Sequence, residues 1–446
     1  MSSLAVLSAL SGCRTAGCAG GIRSTRGVVV GVKDLSGNFD WPKLASDAGL
    51  TTIGTHFGPK DVIPFLNSDK GKRFIDSCAK HSIEVEHELH ALQYLLPREL
   101  FSTNPELFRM DYNGIRRNDG NCCVTNPKAI EIITEKAVEV ARVCRPTTGR
   151  YYYWLADQLP VCQCENCRTF SDTDQSIIVE NAIIKALRRE VDPNATLSHL
   201  AYFNTLTPPK KVKPHEGLFL EYAPIKRWHR THIRYPLVEG GKELYELDEL
   251  LKVFPAETAQ VLEYWLDESL FCGWRRNNRP LAKIPWNSAL TRAEVQAYRK
   301  RGIRHFTTFA VDLSDEYNEM FEPDFDEPVK DYAKIVHDKA LLRALIAACE
   351  SITADAYGEE GEVELEPEKF WGQNVNLKVI DDVDDLTLEN LSAMVKGKKI
   401  DRIIVEYNGM WMIQDFYDNM PEDWVPYQNM LFFDCNTFIT YNNNMR

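Results

Sequence analysis

No apolar run in the chain approaches the roughly 18 to 20 residues a membrane-spanning helix needs, so no transmembrane segment is expected. Nor is there a block of Lys and Arg. The 52 basic residues face 65 acidic ones for a formal charge of −13, and without a basic stripe to track a phosphate backbone, nucleic acid is not an expected partner. No internal repeat is visible, and no feature states an oligomeric state. No Lys or Arg precedes Leu4, although a secretory n-region carries positive charge. The short apolar stretch ending Leu10-Ser11-Gly12-Cys13 nevertheless looks like a lipoprotein signal. Residues 1–26 are read as a disordered leader in preference to that signal, and a cytoplasmic location in preference to lipid anchoring at Cys13. Residues 337–446 contain neither a Gly-rich turn followed by Lys and Ser/Thr nor an Asn-Lys-x-Asp, which removes phosphate cradling and guanine reading from that stretch.

What is present is length and alternation. At 446 residues the chain exceeds the roughly 250 to 300 that one core supports, so two units are expected. Strand-like stretches fall at Gly27–Val32, Thr51–His56, Ile83–Leu92, Tyr151–Asp157, Ala195–Tyr202, Gly217–Tyr222, Gln260–Trp265 and Ile303–Phe309. Helix-like stretches at Trp41–Leu50, Gly71–His81, Pro127–Val143, Asp174–Glu190, Glu243–Val253, Thr291–Arg301 and Pro328–Cys349 alternate with them. A closed barrel and an open doubly wound sheet both satisfy this order. Polar residues gather at the carboxyl ends of nearly every strand, where barrel enzymes build their sites, so an α/β fold with a (β/α)8 TIM barrel over 27–336 is expected. A helix and charged linker at 337–363 then lead to a small, incomplete α/β segment at 364–446, with strands at Val375–Val379 and Arg402–Glu406.

Asp157 closes the fourth strand-like stretch, Glu221 the sixth and Glu263 the seventh, the last two within apolar runs where a carboxylate needs a partner or a function. Alternation places Asp157 on one face with Tyr151 and Tyr153. Paired carboxyl groups, one protonated and one ionised, are what glycosidic cleavage requires; an ion pair or helix cap at the rim is the competing role for each. In the third stretch Glu84, Glu86, Glu88 and His90 share a face, with His90 a candidate for substrate contact. Tyr202, Trp228, Tyr264 and Trp274 can stack on a sugar ring or simply pack. Arg116 and Arg275 can fork onto a carboxylate or form surface ion pairs. Cys162-x-Cys164-x-x-Cys167 brings three thiols together, with Cys122, Cys123 or Cys144 available as a fourth. A structural zinc on the one hand, and free thiols or one disulfide on the other, remain equally open. Catalysis itself requires no cofactor in this reading.

The ordered series Asn104-Pro-Glu-Leu-Phe-Arg-Met-Asp-Tyr-Asn-Gly-Ile-Arg116, Cys123-Val-Thr-Asn-Pro127, Trp154-Leu-Ala-Asp157 and Cys162-Gln-Cys-Glu-Asn-Cys167 resembles the bacterial barrels grouped as domain of unknown function 4838. These are relatives of α-glucuronidase and hexosaminidase-type glycoside hydrolases. The resemblance covers about 27–336 and implies a glycoside-hydrolase-like barrel acting on carbohydrate, with Asp157 where related barrels place an acid and Glu263 or Glu221 opposite. Here Ala156-Asp157-Gln158-Leu159-Pro160 stands where relatives carry a Gly-rich stretch, and the usual N-terminal accessory domain is missing; both leave room for a barrel that binds carbohydrate without cleaving it. The tail, through Asp401–Trp411 and Phe433–Arg446, resembles part of CobW/HypB/UreG-type GTP-binding proteins. That resemblance implies a nucleotide-binding or metal-handling alternative, against which the missing phosphate loop counts.

Overall fold

The computed structural model describes residues 4–9, 24–225, 237–272, 281–321, 327–337, 375–380, 385–395, 402–406, 416 and 418–421. The chain divides into two units, Gly20–Ala347 and a second made of Met1–Ala19 with Ala348–Arg446. In the second, β1 (Leu4–Ala9) is the central strand, antiparallel to both β10 (Val375–Ile380) and β11 (Arg402–Glu406). This corrects the reading of residues 1–26 as unstructured. The run LAVLSA has no Gly or Pro to interrupt a strand, and the backbone groups along both of its edges are paired.

The first unit is the expected closed parallel barrel. Its strands follow chain order: β2 (Arg26–Gly31), β3 (Thr52–His56), β4 (Glu84–His90), β5 (Arg150–Trp154), β6 (Thr196–Ala201), β7 (Leu218–Tyr222), β8 (Gln260–Glu263) and β9 (His305–Phe309). The seam between β2 and β9 is closed by backbone pairing, by a 2.9 Å bond between the Thr25 hydroxyl and His305 Nδ1, and by the Tyr332 hydroxyl donating to the Gly27 carbonyl. Tyr332 lies on the helix 327–337, so the last helix latches the first strand.

Local chemistry sets the surrounding helices. Asn126 caps Pro127–Val143 by accepting from the Lys128 and Ala129 amides, with Pro at the first helical position. Ser171 and Asp174 form a capping box on Asp172–Glu190. Asp174 also serves a second element, because its Oδ1 accepts the amides of Lys210, Lys211 and Val212 at 2.8–2.9 Å and so orders the non-helical connection from β6 to β7. Where one helix was expected at 71–81 there are two, Pro59–Asn67 and Asp69–Lys80. Ser68 between them is extended, and its side chain caps the second.

Strand parity separates two sets of polar side chains. Glu86, Glu88 and His90 of β4, Arg150, Tyr152 and Trp154 of β5, Ser198, Glu221, Gln260 and Thr307 face the barrel interior, as their mutual bonds show. Tyr151, Tyr153, Tyr222 and Glu263 face the helices.

Candidate active site

The interior is unusually charged. Tyr152 and Thr148 hydroxyls donate to Glu86 at 2.8 and 2.7 Å, and Arg150 lies 3.8 Å from that carboxylate while stacking on Phe219 and donating to Gln260. Trp154 Nε1 donates to Glu221 at 2.8 Å, and Gln260 reaches the other Glu221 oxygen at 3.4 Å. Among the described residues the Glu88 carboxyl oxygens accept no hydrogen bond of normal geometry, and Gly54 leaves them room: a Cβ there would stand 3.2 Å from Glu88 Oε1. Three buried carboxyls share one guanidinium, so burial raises all three. Glu88 goes well above the ordinary carboxyl value with help from the Glu221 and Glu86 charges, and Glu221 is pushed up to about 8.

Above this network, the rings of His56, His90, Trp154 and Phe309 form a floor with centroids 5.1–6.5 Å apart. Glu221, fully buried and bonded to Trp154, lies beneath that floor and not in the mouth as expected. Glu263 is corrected more sharply. Counting from the inward Gln260, position 263 falls on the opposite face, where its carboxylate takes a 2.5 Å bond from Tyr298 on the outer helix Ser288–Lys300.

Two other carboxylates follow the carboxyl ends of barrel strands, Asp157 after β5 and Asp267 after β8. β5 ends at Trp154, so Asp157 sits in a turn and its position owes nothing to strand alternation with Tyr151 and Tyr153. It is exposed and acts on His90 and on the Tyr202 hydroxyl. Four residues past Glu263, the buried Asp267 follows β8. Burial, reinforced by the Asp312 charge and opposed by the Ser269 hydroxyl bond, lifts it to about 7. The charges of both aspartates raise the Tyr202 and Tyr264 hydroxyls, after burial, which raises them most. Tyr202 is half-buried, whereas Tyr264 is buried against Phe309 at 5.2 Å. His90 Nδ1 contacts the Leu155 carbonyl at 3.1 Å, and burial outweighs the Asp157 charge to hold the imidazole below its ordinary pKa. Gln158 and Phe203, which directly follow Asp157 and Tyr202, adopt left-handed φ of 53°, a conformation non-glycine residues take at a cost.

The turn bearing Asp157 is held by the long loop before it. The buried Asn121 accepts the Ala156 amide at 3.1 Å and donates to the Leu159 and Pro160 carbonyls at 3.0 and 2.9 Å. Gly120 presses against the same turn so closely that a Cβ would meet that of Ala156 at 2.4 Å. Arg116, a candidate to fork onto a carboxylate or to form a surface ion pair, belongs to this loop. It donates to the Phe108 carbonyl at 2.6 Å and contacts Cys162 Sγ at 3.8 Å. Cys162, Cys164 and Cys167 gather with Cys123, all four buried and with sulfurs within 4.8 Å of one another. An open cavity of about 480 Å³ is lined by Arg116, Cys123 and Cys164 among others, away from the barrel mouth. Trp228, Trp274 and Arg275 lie outside the described residues.

The family model described as a domain of unknown function (DUF4838) matches residues 65–238, which hold Asp157, Asn121 and all four clustered cysteines. No curated protein matches the chain. Among solved structures, the chain is similar to a β-galactosidase from the psychrophilic Marinomonas ef1 at 8% identity and a TM-score of 0.42, covering 72% of this chain and 60% of that one. It is also similar to PbGH5A, a glycoside hydrolase family 5 enzyme from Prevotella bryantii B14 crystallised with a xyloglucan tetradecasaccharide, at 10% identity, a TM-score of 0.42 and coverage of 69% and 95%. The GH20 modules of a pneumococcal exo-β-D-N-acetylglucosaminidase match at 8% identity and a TM-score of 0.40, covering 76% and 93%. The chain thus spans about 60% of the β-galactosidase's length, and likenesses this distant assign no activity.

Proposed function

We propose that the barrel cleaves glycosidic bonds, with Asp267 as the proton-donating acid and Asp157 as the opposing carboxylate. The observation that carries this reading is the difference in burial between two carboxyls that each follow the carboxyl end of a barrel strand. Asp267 is buried and lifted to about 7, and Asp157 stands in solvent, with the charges of both acting on the Tyr202 and Tyr264 hydroxyls. Carboxyls held in unlike surroundings are how one site keeps an acid and a base at a single pH. Tyr202, half-exposed beside Asp157, offers a ring face to a sugar, and His90 offers a hydrogen bond from the third barrel strand. Inverting and retaining chemistry differ in the carboxyl separation the substrate requires, and product stereochemistry distinguishes them.

The test is a panel of aryl glycosides, including uronides and N-acetylhexosaminides, followed with the full chain. Turnover is expected on at least one, falling as pH rises through about 7 as Asp267 loses its proton. Glycan binding without turnover on any member of a broad panel would replace this reading with a binding barrel.

A further inference from the structure

The four cysteines of the loop and of the segment after β5 have no part in that chemistry, and their geometry is specific. Cys123 Sγ lies 3.7 Å from Cys164 Sγ and 3.7 Å from Cys167 Sγ, and all four thiols are free and buried. Zinc–thiolate bonds of about 2.3 Å in a tetrahedron place neighbouring sulfurs about 3.8 Å apart, whereas a disulfide brings two of them to about 2.05 Å. The observed spacing is that of metal ligands. The outer groups fit as well: the Met110 amide donates to Cys162 Sγ at 3.3 Å, Arg116 Nη1 approaches the same sulfur, and the Thr125 hydroxyl lies 3.2 Å from Cys167 Sγ. Donors of this kind orient and neutralise metal thiolates. Gln175, buried on the helix Asp172–Glu190, fixes the ligand loop by accepting the Cys162 amide and donating to the Cys162 and Cys167 carbonyls. The open cavity lined by Cys123 and Cys164 supplies an entry path.

We propose that Cys123, Cys162, Cys164 and Cys167 bind one structural zinc ion that staples the loop 104–126 to the segment following β5. Four thiolates close the coordination sphere, so the ion holds no open position for a substrate or water. The protein itself joins the two segments there by the Gln163 amide donating to the Met110 carbonyl at 2.8 Å, and the ion adds a four-bond tie beside that contact. The consequence reaches the mouth. Cys123 is two residues from Asn121, whose three hydrogen bonds hold the turn bearing Asp157, and Cys162 is five residues beyond Asp157 on the other side. The metal therefore positions Asp157. This second part rests on the reading of Asp157 as a reacting carboxylate; the zinc site does not.

Elemental analysis of the full chain, purified without chelator, is expected to find one zinc per chain. A strong chelator should release it and expose four further thiols to a thiol reagent. Cobalt(II) in its place should give the visible bands and thiolate charge transfer of a tetrahedral all-sulfur site, a readout on the unmutated protein. Cys123→Ser should lose the metal and Cys123→His should retain it, since imidazole is an equally good fourth ligand. Zinc well below one equivalent with the four thiols titrating at once would overturn the site, as would iron in the zinc's place or a disulfide found by mass. If zinc is bound but no glycoside is cleaved, the metal site stands and the glycosidase reading falls. If the zinc-free protein stays folded and turns over a substrate as fast as the zinc-loaded protein, the positioning role is overturned.

Discussion

At the residue scale, two acidic side chains four positions apart, Glu263 and Asp267, make opposed forecasts. Glu263 faces the helices and is bonded to Tyr298; Asp267 follows β8 with its proton held to about 7. Asp267→Asn is expected to lower kcat by about 10²- to 10⁴-fold, the usual worth of a positioned general acid, with little loss of stability. Glu263→Gln should leave kcat within a few-fold while lowering the melting temperature, because the buried Tyr298 hydroxyl loses the carboxyl it donates to. Equal loss of activity in both would remove Asp267 from the proposed role. Asn121 is the second residue to probe. Asn121→Ala strands two carbonyls and one amide, at a cost of about 1–3 kcal/mol for each buried group left unpaired. Its effect on kcat should exceed its effect on KM, since a displacement near 1 Å of a reacting group can cost about 100-fold.

The element scale is set by the strands' inward faces. Glu221 has its folded pKa raised from 4.5 to about 8, so the folded protein holds a proton the unfolded chain has released between those values. Stability from this group is therefore fully present below about 4.5, is lost as pH rises through about 8, and is level above that. Glu221→Gln does not titrate. The melting temperature of this variant relative to the unmutated protein is expected to climb from pH 5 to pH 9, by the equivalent of on the order of a few kcal/mol. A constant difference across that range would show that Glu221 is not held protonated by the fold. The same logic explains why Trp154 caps the network. Its indole N–H satisfies one Glu221 oxygen while its ring closes the space above, so the buried carboxyls stay out of reach of the mouth.

On the scale of the whole molecule, the unit containing the tail takes its central strand from the other end of the chain. Among the described residues β10 and β11 pair with β1 and not with each other, so residues 348–446 alone lack the strand that joins them. That fragment is expected to lack sheet structure by circular dichroism, and fusing residues 1–19 to it through a flexible linker should restore it. Residues 20–347 alone should unfold cooperatively and retain the barrel, since all eight strands and the latch by Tyr332 lie within them. A tail fragment that folds unaided would show that β1 is dispensable to that sheet.

The sequence by itself determined the barrel, its eight strands in order and the inward face of Glu86, Glu88 and His90. Periodicity and strand-end polarity are local properties that a linear reading can recover. It also brought forward three of the four clustered thiols and Asp157. It named Glu263 and did not reach Asp267, because it carried the seventh strand through to Trp265, past the observed end at Glu263. The one polar residue opening that strand, Gln260, already marked the inward face, and counting three positions from it would have sent Glu263 outward. Tertiary structure alone decided the rest. It brought Cys123 to a cluster 39 residues further along, set Asn121 over the turn of Asp157, and buried Asp267 deeply enough to hold its proton. Those outcomes depend on which loops meet above a closed barrel, and loop meetings are set by the packing of the whole unit and not by any periodicity in the chain.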